Sequence, residues 1–281
     1  MTAGTQDRVR GLRSGLWLPL FEELADPTVV AQLAVEAEAA GWDGVFVWDH
    51  LRWAPPVRCV ADPWICLSAI AVATESILLG PMITPLARRR PAKVARETVT
   101  LDRLSSGRLV LGVGLGDDRF GRELSATGEE VDDRRRSQML DESLEILTTA
   151  WSGRTVHHTG EHYTVTDFEF HPPPYRHSGI PIWVGGLAGR SKPMRRAARY
   201  QGYVPVNLTH PDQVAEAVAT IGDMRGEGHK ESHDVVVALS PGTDPHPFAK
   251  AGATWWLTEF NPESVTVDQV RGVIREGPSP A

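Results

Sequence analysis

The 281 residues are 41% hydrophobic and 23% charged, enough apolar side chain for a sizeable core and too little charge for global disorder. The net charge of −7, from 29 basic against 36 acidic side chains, speaks against a nucleic-acid partner, which calls for a basic excess or stripe. The runs Arg88-Arg89-Arg90 and Arg134-Arg135-Arg136 read as solvated helix faces. Two cysteines, Cys59 and Cys66, rule out a disulfide framework and suit a reducing compartment. Residues 1–14 are polar and carry Arg8, Arg10 and Arg13 where a signal peptide would be apolar. No run approaches the roughly 18 apolar residues of a membrane span. A cytoplasmic location without a membrane partner is therefore expected.

Short apolar strands alternate with amphipathic helices. Residues 15–20 form the first strand. Asp26 as N-cap and Pro27 at the first helical position start a helix. Its apolar face is Val29, Val30, Leu33 and Ala37, and Gly41 ends it. Strand two spans 44–48. Asp62-Pro63 repeats the start signal for a helix to residue 74. Strand three covers 77–83, but Gly80 and Pro81 interrupt it, so a bulge or a stop at Gly80 is expected. A helix over 90–104 is closed by Ser105-Ser106-Gly107. Strand four, 108–112, runs into a loop over 114–131, and a long helix follows at 132–151. Segments 155–158 and 161–165 form a small hairpin around Thr159-Gly160, followed by a proline-rich bridge at 170–174. The alternation resumes with strands at 181–184, 203–206, 235–239 and 254–257. Helices fall near 192–200, 211–225 and 262–275, and 244–251 is a proline-broken turn.

Eight strands, each followed by a helix or its remnant in an unbroken chain, predict an α/β fold: a single (β/α)8 TIM barrel with a small inserted hairpin after the fourth βα unit. Most of these strands are apolar runs, as strands buried on both faces should be. The expected division is an N-terminal extension at 1–14, the barrel at 15–276 and a frayed tail at 277–281.

In such a barrel the chemistry sits where strands end, and the largest pocket is expected there, lined by Asp49, His50, Thr84, Gly114 and Gly185. Strand two ends in Trp48-Asp49-His50, which offers an imidazole for proton transfer or a capped loop. Strand four ends in Gly112-Val113-Gly114-Leu115-Gly116-Asp117-Asp118, whose glycines admit a close backbone approach. Its spacing is not that of a dinucleotide fingerprint. Strand five ends in Gly185-Gly186, and Arg190, Ser191 and Lys192 then open a helix, an arrangement suited to a phosphate.

Together these stretches resemble the luciferase-like monooxygenase superfamily. The most specific is Ile83-Thr84-Pro85-Leu86-Ala87-Arg88-Arg89-Arg90-Pro91, continuing through Leu101-Asp102-Arg103-Leu104-Ser105 to Gly107-Arg108-Leu109-Val110-Leu111-Gly112. Trp48-Asp49-His50 and Pro181-Ile182-Trp183-Val184-Gly185-Gly186 match too. The resemblance implies an oxidoreductase barrel that binds the deazaflavin coenzyme F420 or FMN at its C-terminal mouth. It places His50 at the reactive ring edge as general acid/base, with Asp49 as orienter or cap and Asp117 as a loosely mapped carboxylate partner. It implies a non-proline cis peptide at Pro81-Met82 or one bond later, and cofactor contacts from Thr84, Pro81, Met82 and Gly114. The phosphate falls to Gly185, Gly186, Arg190 and Ser191.

The polar mouth of Asp49, His50 and Arg52 favours F420 and hydride transfer with a small-molecule substrate. The alternative is an FMN-dependent monooxygenase served by a partner flavin reductase, and a homodimer is compatible with either. Two rivals stand beside these. One is a metal-dependent hydrolase, suggested by ten histidines but lacking His-x-His on strand one, so that no metal is expected. The other is a non-catalytic flavin carrier on the same barrel.

Overall fold

The computed structural model describes residues 11–226 and 232–278; the outermost parts of the expected extension and tail, 1–10 and 279–281, lie outside them. Strand β1 is Arg13–Leu18, and helix α1 is Pro27–Ala39. Asp26 caps α1 by accepting from the Thr28 amide at 2.8 Å. Strand β2 is Gly44–Val47 and helix α2 Pro63–Ala73, where Asp62 accepts from the amides of Trp64 and Ile65. Both Asp-Pro pairs thus start helices.

The interrupted third strand divides into β3, Leu78–Pro81, and β4, Thr84–Pro85. The Met82-Ile83 peptide between them is cis, the later of the two bonds expected. Helix α3 is Pro91–Leu104, β5 Leu111–Gly114 and α4 Asp133–Trp151. The antiparallel hairpin is β6, Val156–Thr159, with β7, Thr164–Phe168, so its second arm lies later than expected. The rest of the chain is β8 Ile182–Leu187, α5 Ser191–Ala197, β9 Gly202–Val206, α6 Asp212–Arg225, β10 Asp234–Leu239, α7 His246–Lys250, β11 Trp255–Glu259 and α8 Val267–Glu276. Helix α8 starts later than expected because Thr266 and Gln269 form a capping box there.

Nine strands make one parallel sheet in the order β3-β2-β1-β11-β10-β9-β8-β5-β4. Its edges meet through Leu79, whose amide donates to the Arg108 carbonyl at 3.1 Å and whose carbonyl accepts from the Val110 amide at 2.9 Å. With β3 and β4 counted as one interrupted strand, the sheet is a barrel of eight staves. Gly80 makes the seam possible: a Cβ there would sit 1.8 Å from the Val110 carbonyl oxygen.

The interior is aromatic. Phe46, Trp183 and Trp255 pack at 5.2–5.9 Å between ring centroids near the strand starts. Trp17, Trp48, Phe21 and Trp53 form a second layer at the strand ends, with Trp17 and Trp48 at 5.6 Å. Aliphatic side chains on the outer strand faces bury the helices in a separate cluster. Each stave therefore alternates between two apolar environments, which is why the strands read as apolar runs. Among the described residues no helix is long and apolar enough to cross a membrane.

Candidate active site

The second residue past β2 is Asp49, 2% exposed. Its carboxylate accepts from the Thr84 hydroxyl, from Arg88, and from Arg89 at 2.8 and 2.9 Å. The two arginines belong to the run expected to be a solvated face. Their side chains are only 3% and 17% exposed and point into the barrel rim. The short helical turn at Leu86–Arg88 causes this by turning the segment ahead of α3 inward. Burial of two guanidiniums is tolerated because two carboxylates face them.

The second carboxylate is Glu123, in the loop after β5, which the sequence reading passed over. It accepts from Arg88 at 2.9 Å, from the Leu51 amide at 2.6 Å and from His50 Nδ1 at 2.9 Å. Burial opposes its charge, but the His50 hydrogen bond and the Arg88 guanidinium outweigh that and hold its carboxyl below the ordinary value. An ionised carboxylate only accepts, so the hydrogen sits on His50 Nδ1 and Nε2 is left for other chemistry. The imidazole is 23% exposed and packs edge-on to Trp53 at 4.8 Å. The Asp49 carboxylate does not hydrogen-bond the His50 ring. It holds Arg88, which holds Glu123, which holds the ring.

Asp117, expected as the partner of His50, is instead bound by the backbone and guanidinium of Arg119. Although burial opposes the charge, those bonds hold its carboxyl below the usual range. The partner role passes to Glu123, six positions on, because the loop folds back over the β2 exit. Phe120 stacks on Trp53 at 4.6 Å and 10°. A Cβ at Gly121 would lie 2.2 Å from the Arg52 carbonyl.

Two cavities bear on the expected pocket. A cavity of about 370 Å³ lies in the loop after β2, lined by Leu51, Arg52, Trp53 and Arg58 among others. A larger one, about 640 Å³, lies between the start of α4 and the hairpin turn. Asp49, His50, Thr84, Gly114 and Gly185 line neither. Asp49 and Thr84 are spent on each other and the arginines. Gly114 and Gly185 accommodate Ile83: a Cβ on Gly185 would be 2.0 Å from its Cδ1 and one on Gly114 2.8 Å from its Cγ2. Gly185 and Gly186 lie within β8, paired with Val204 and Pro205, and a Cβ on Gly186 would strike Pro193. Arg190 and Ser191 are exposed beyond that strand end. Pro81 and Met82 are buried, and the Met82 carbonyl accepts from Trp17 Nε1.

Two features suit a planar heteroaromatic group. Ile83 is a partly exposed apolar surface beside the seam, and the buried indole nitrogens of Trp48 and Trp53 lack acceptors. Buried donors of this kind are normally paired, so a ligand acceptor at the mouth has donors waiting. The hairpin histidines are used locally: His157 faces Asp167, His158 faces Glu142 and His171 faces Glu169. Among the described residues no three His, Cys, Asp or Glu side chains gather to hold a metal.

Comparison with known proteins agrees with this architecture. Residues 12–244 match the family described as luciferase-like monooxygenase. The chain is 29% identical over 231 residues to an F420-dependent glucose-6-phosphate dehydrogenase of Microbacterium testaceum, covering 79% of this chain and 65% of that protein. A second enzyme of the same description, from Nakamurella multipartita, is 33% identical over 179 residues, covering 58% of this chain and 50% of that one. The chain thus spans half to two thirds of the length of these curated relatives. An F420-dependent secondary alcohol dehydrogenase solved with an F420-acetone adduct shares the fold at TM-score 0.79 and 20% identity, covering 95% of this chain and 98% of the other.

Proposed function

Because this chain belongs to the luciferase-like monooxygenase family, we infer that it is an oxidoreductase working with F420 at the C-terminal barrel mouth, with His50 as the proton-transferring group. The observation that carries this reading is the chain Asp49–Arg88–Glu123–His50. It fixes one ring nitrogen of an imidazole and leaves the other for a substrate.

The deazaflavin, when bound, would supply hydride transfer to or from a small organic substrate. The residues suited to holding it are Ile83 as an apolar surface and the indoles of Trp48 and Trp53 as donors. Arg190 and the Ser191 turn offer positive charge and donors to its phosphate. His50 Nε2 would take the proton of a substrate hydroxyl on oxidation and return it on reduction. Glu123 keeps the ring in one tautomer, and Trp53 with Phe120 shields it from bulk water. Pro81, Met82, Thr84, Gly114, Gly185 and Gly186 support this site from beneath through the seam, the Asp49 network and the space they leave for Ile83.

Titration of the protein with F420 and with FMN, followed by absorbance, tests the assignment. Tighter binding of F420 and a reduced complex that persists in air are expected. Tight FMN binding with rapid oxygen consumption would overturn it in favour of a monooxygenase served by a flavin reductase. Failure to bind either would overturn both.

A further inference from the structure

The last stave ends in a carboxyl that no other side chain engages among the described residues. Trp255 and Leu257 of β11 lie in the barrel interior. Trp256 faces the helix layer, 5.4 Å from Trp42. Side chains alternate along a strand, so Glu259 points inward above Leu257. In the ladder with β1 it stands opposite Trp17, in the layer of Trp17 and Trp48 at the mouth. It is partly buried. Burial alone acts on its carboxyl and raises its pKa, with no hydrogen bond or nearby cation to offset the effect. The other carboxylates of this rim are spent: Asp49 on Thr84 and two arginines, Glu123 on His50 and Arg88, Asp117 on Arg119. A partly buried carboxyl without a side-chain partner is a group that a ligand's donor can complete.

We propose that Glu259 is the substrate-binding carboxyl of the mouth, accepting a hydrogen bond from a hydroxyl or ammonium group of a non-anionic organic substrate. This rests on reading the mouth as an oxidoreductase site and adds the class of substrate. An anionic substrate would meet a like charge on the β11 side with no cation to neutralise it. A polyol or amino alcohol brings its own donors.

Three alcohols with one carbon skeleton test this: 1-amino-2-propanol, 1,2-propanediol and lactate. Each is titrated into cofactor-free wild type and into Glu259→Gln, with tryptophan emission as readout and thermal unfolding as the check on folding. The amino alcohol should bind wild type most tightly and lactate least. Glu259→Gln should weaken the amino alcohol by about 10–100-fold, the worth of one charge-assisted hydrogen bond, and narrow its advantage over lactate. In turnover with F420 the same variant should raise KM for the amino alcohol and leave kcat within about twofold, as loss of uniform binding does. Equal titrations in wild type and variant, no binding to either, or a preference for lactate would overturn the proposal. Failure of the cofactor titration would overturn the reading of the site instead, since the emission result needs no cofactor.

Discussion

Glu123 accepts a hydrogen bond from His50 Nδ1 at 2.9 Å across 73 positions of sequence, and both sit on loops at the rim of the barrel. The same carboxylate takes the Leu51 amide and Arg88. One side chain thus fixes the tautomer of the imidazole and ties the loop after β5 to the exit of β2.

Glu123→Ala should destabilise the fold by about 3–5 kcal/mol, because it strands the buried Arg88 guanidinium. Glu123→Gln, which keeps the shape, should cost less. The folded carboxyl lies below its unfolded value of 4.5. Its contribution is therefore fully present above that pH and fades as pH falls through the folded value. Thermal unfolding of wild type and Glu123→Gln should converge on acidification; parallel curves down to the lowest pH would show that the charge contributes nothing.

His50→Ala should lower kcat by about 10²–10⁴-fold while cofactor affinity stays near wild type. Steady-state rates with F420, paired with an absorbance titration, read both quantities. Unchanged turnover would leave His50 a packing residue under Trp53.

Arg190→Ala should weaken phosphorylated cofactors by about 1.5–3 kcal/mol and spare riboflavin, whose tail lacks the phosphate. Equal losses for FMN and riboflavin would place the phosphate elsewhere on the rim.

Glu38 binds the amides of Glu75, Ser76 and Ile77 and the Ser76 hydroxyl, joining α1 to the start of β3. Burial raises its pKa, but these bonds prevail and bring it down to about 2 from 4.5. The stability it supplies should be complete above pH 4.5 and disappear toward pH 2. Glu38→Ala should lose about 1–3 kcal/mol at neutral pH, and the deficit should shrink in acid denaturation series.

Gly80→Ala should prevent the seam from closing, since its Cβ would meet the Val110 carbonyl at 1.8 Å. Loss of soluble folded protein is the expected result; a native near-ultraviolet circular dichroism spectrum would mean that β3 can shift to make room.

The barrel was legible because both faces of each stave are buried and because Asp26-Pro27 and Asp62-Pro63 announce helix starts. Strand ends were less so. Residues 254–257 read as the last strand, yet it runs on through Thr258, 2% exposed, and Glu259, which faces the interior. The Arg88–Arg90 run looked solvated because local composition cannot show that two carboxylates, one of them 35 positions away in Glu123, will meet it. Glu123 itself sits in an aperiodic loop. The signal that could have found it is electrostatic: buried arginines beside Asp49 demand a second acid. His50 stood out by its place after an apolar strand, whereas Asp117 was favoured by proximity to the glycines, and the fold of the loop turned it to Arg119.

The seam at Leu79 sets where the barrel breathes. Every other stave is zipped to its neighbours along a ladder, but here the ring is joined by the two bonds of one residue before β4 resumes pairing at Thr84 and Pro85. Amide protons around Leu79 and Val110 should therefore exchange through local opening before those of β1 and β11. That opening would loosen the support of Ile83 and of the Arg88 turn from below, so occupancy of the mouth and protection of the seam should rise together. A ligand felt at the rim would be recorded as slowed deuterium uptake in the stave beneath it.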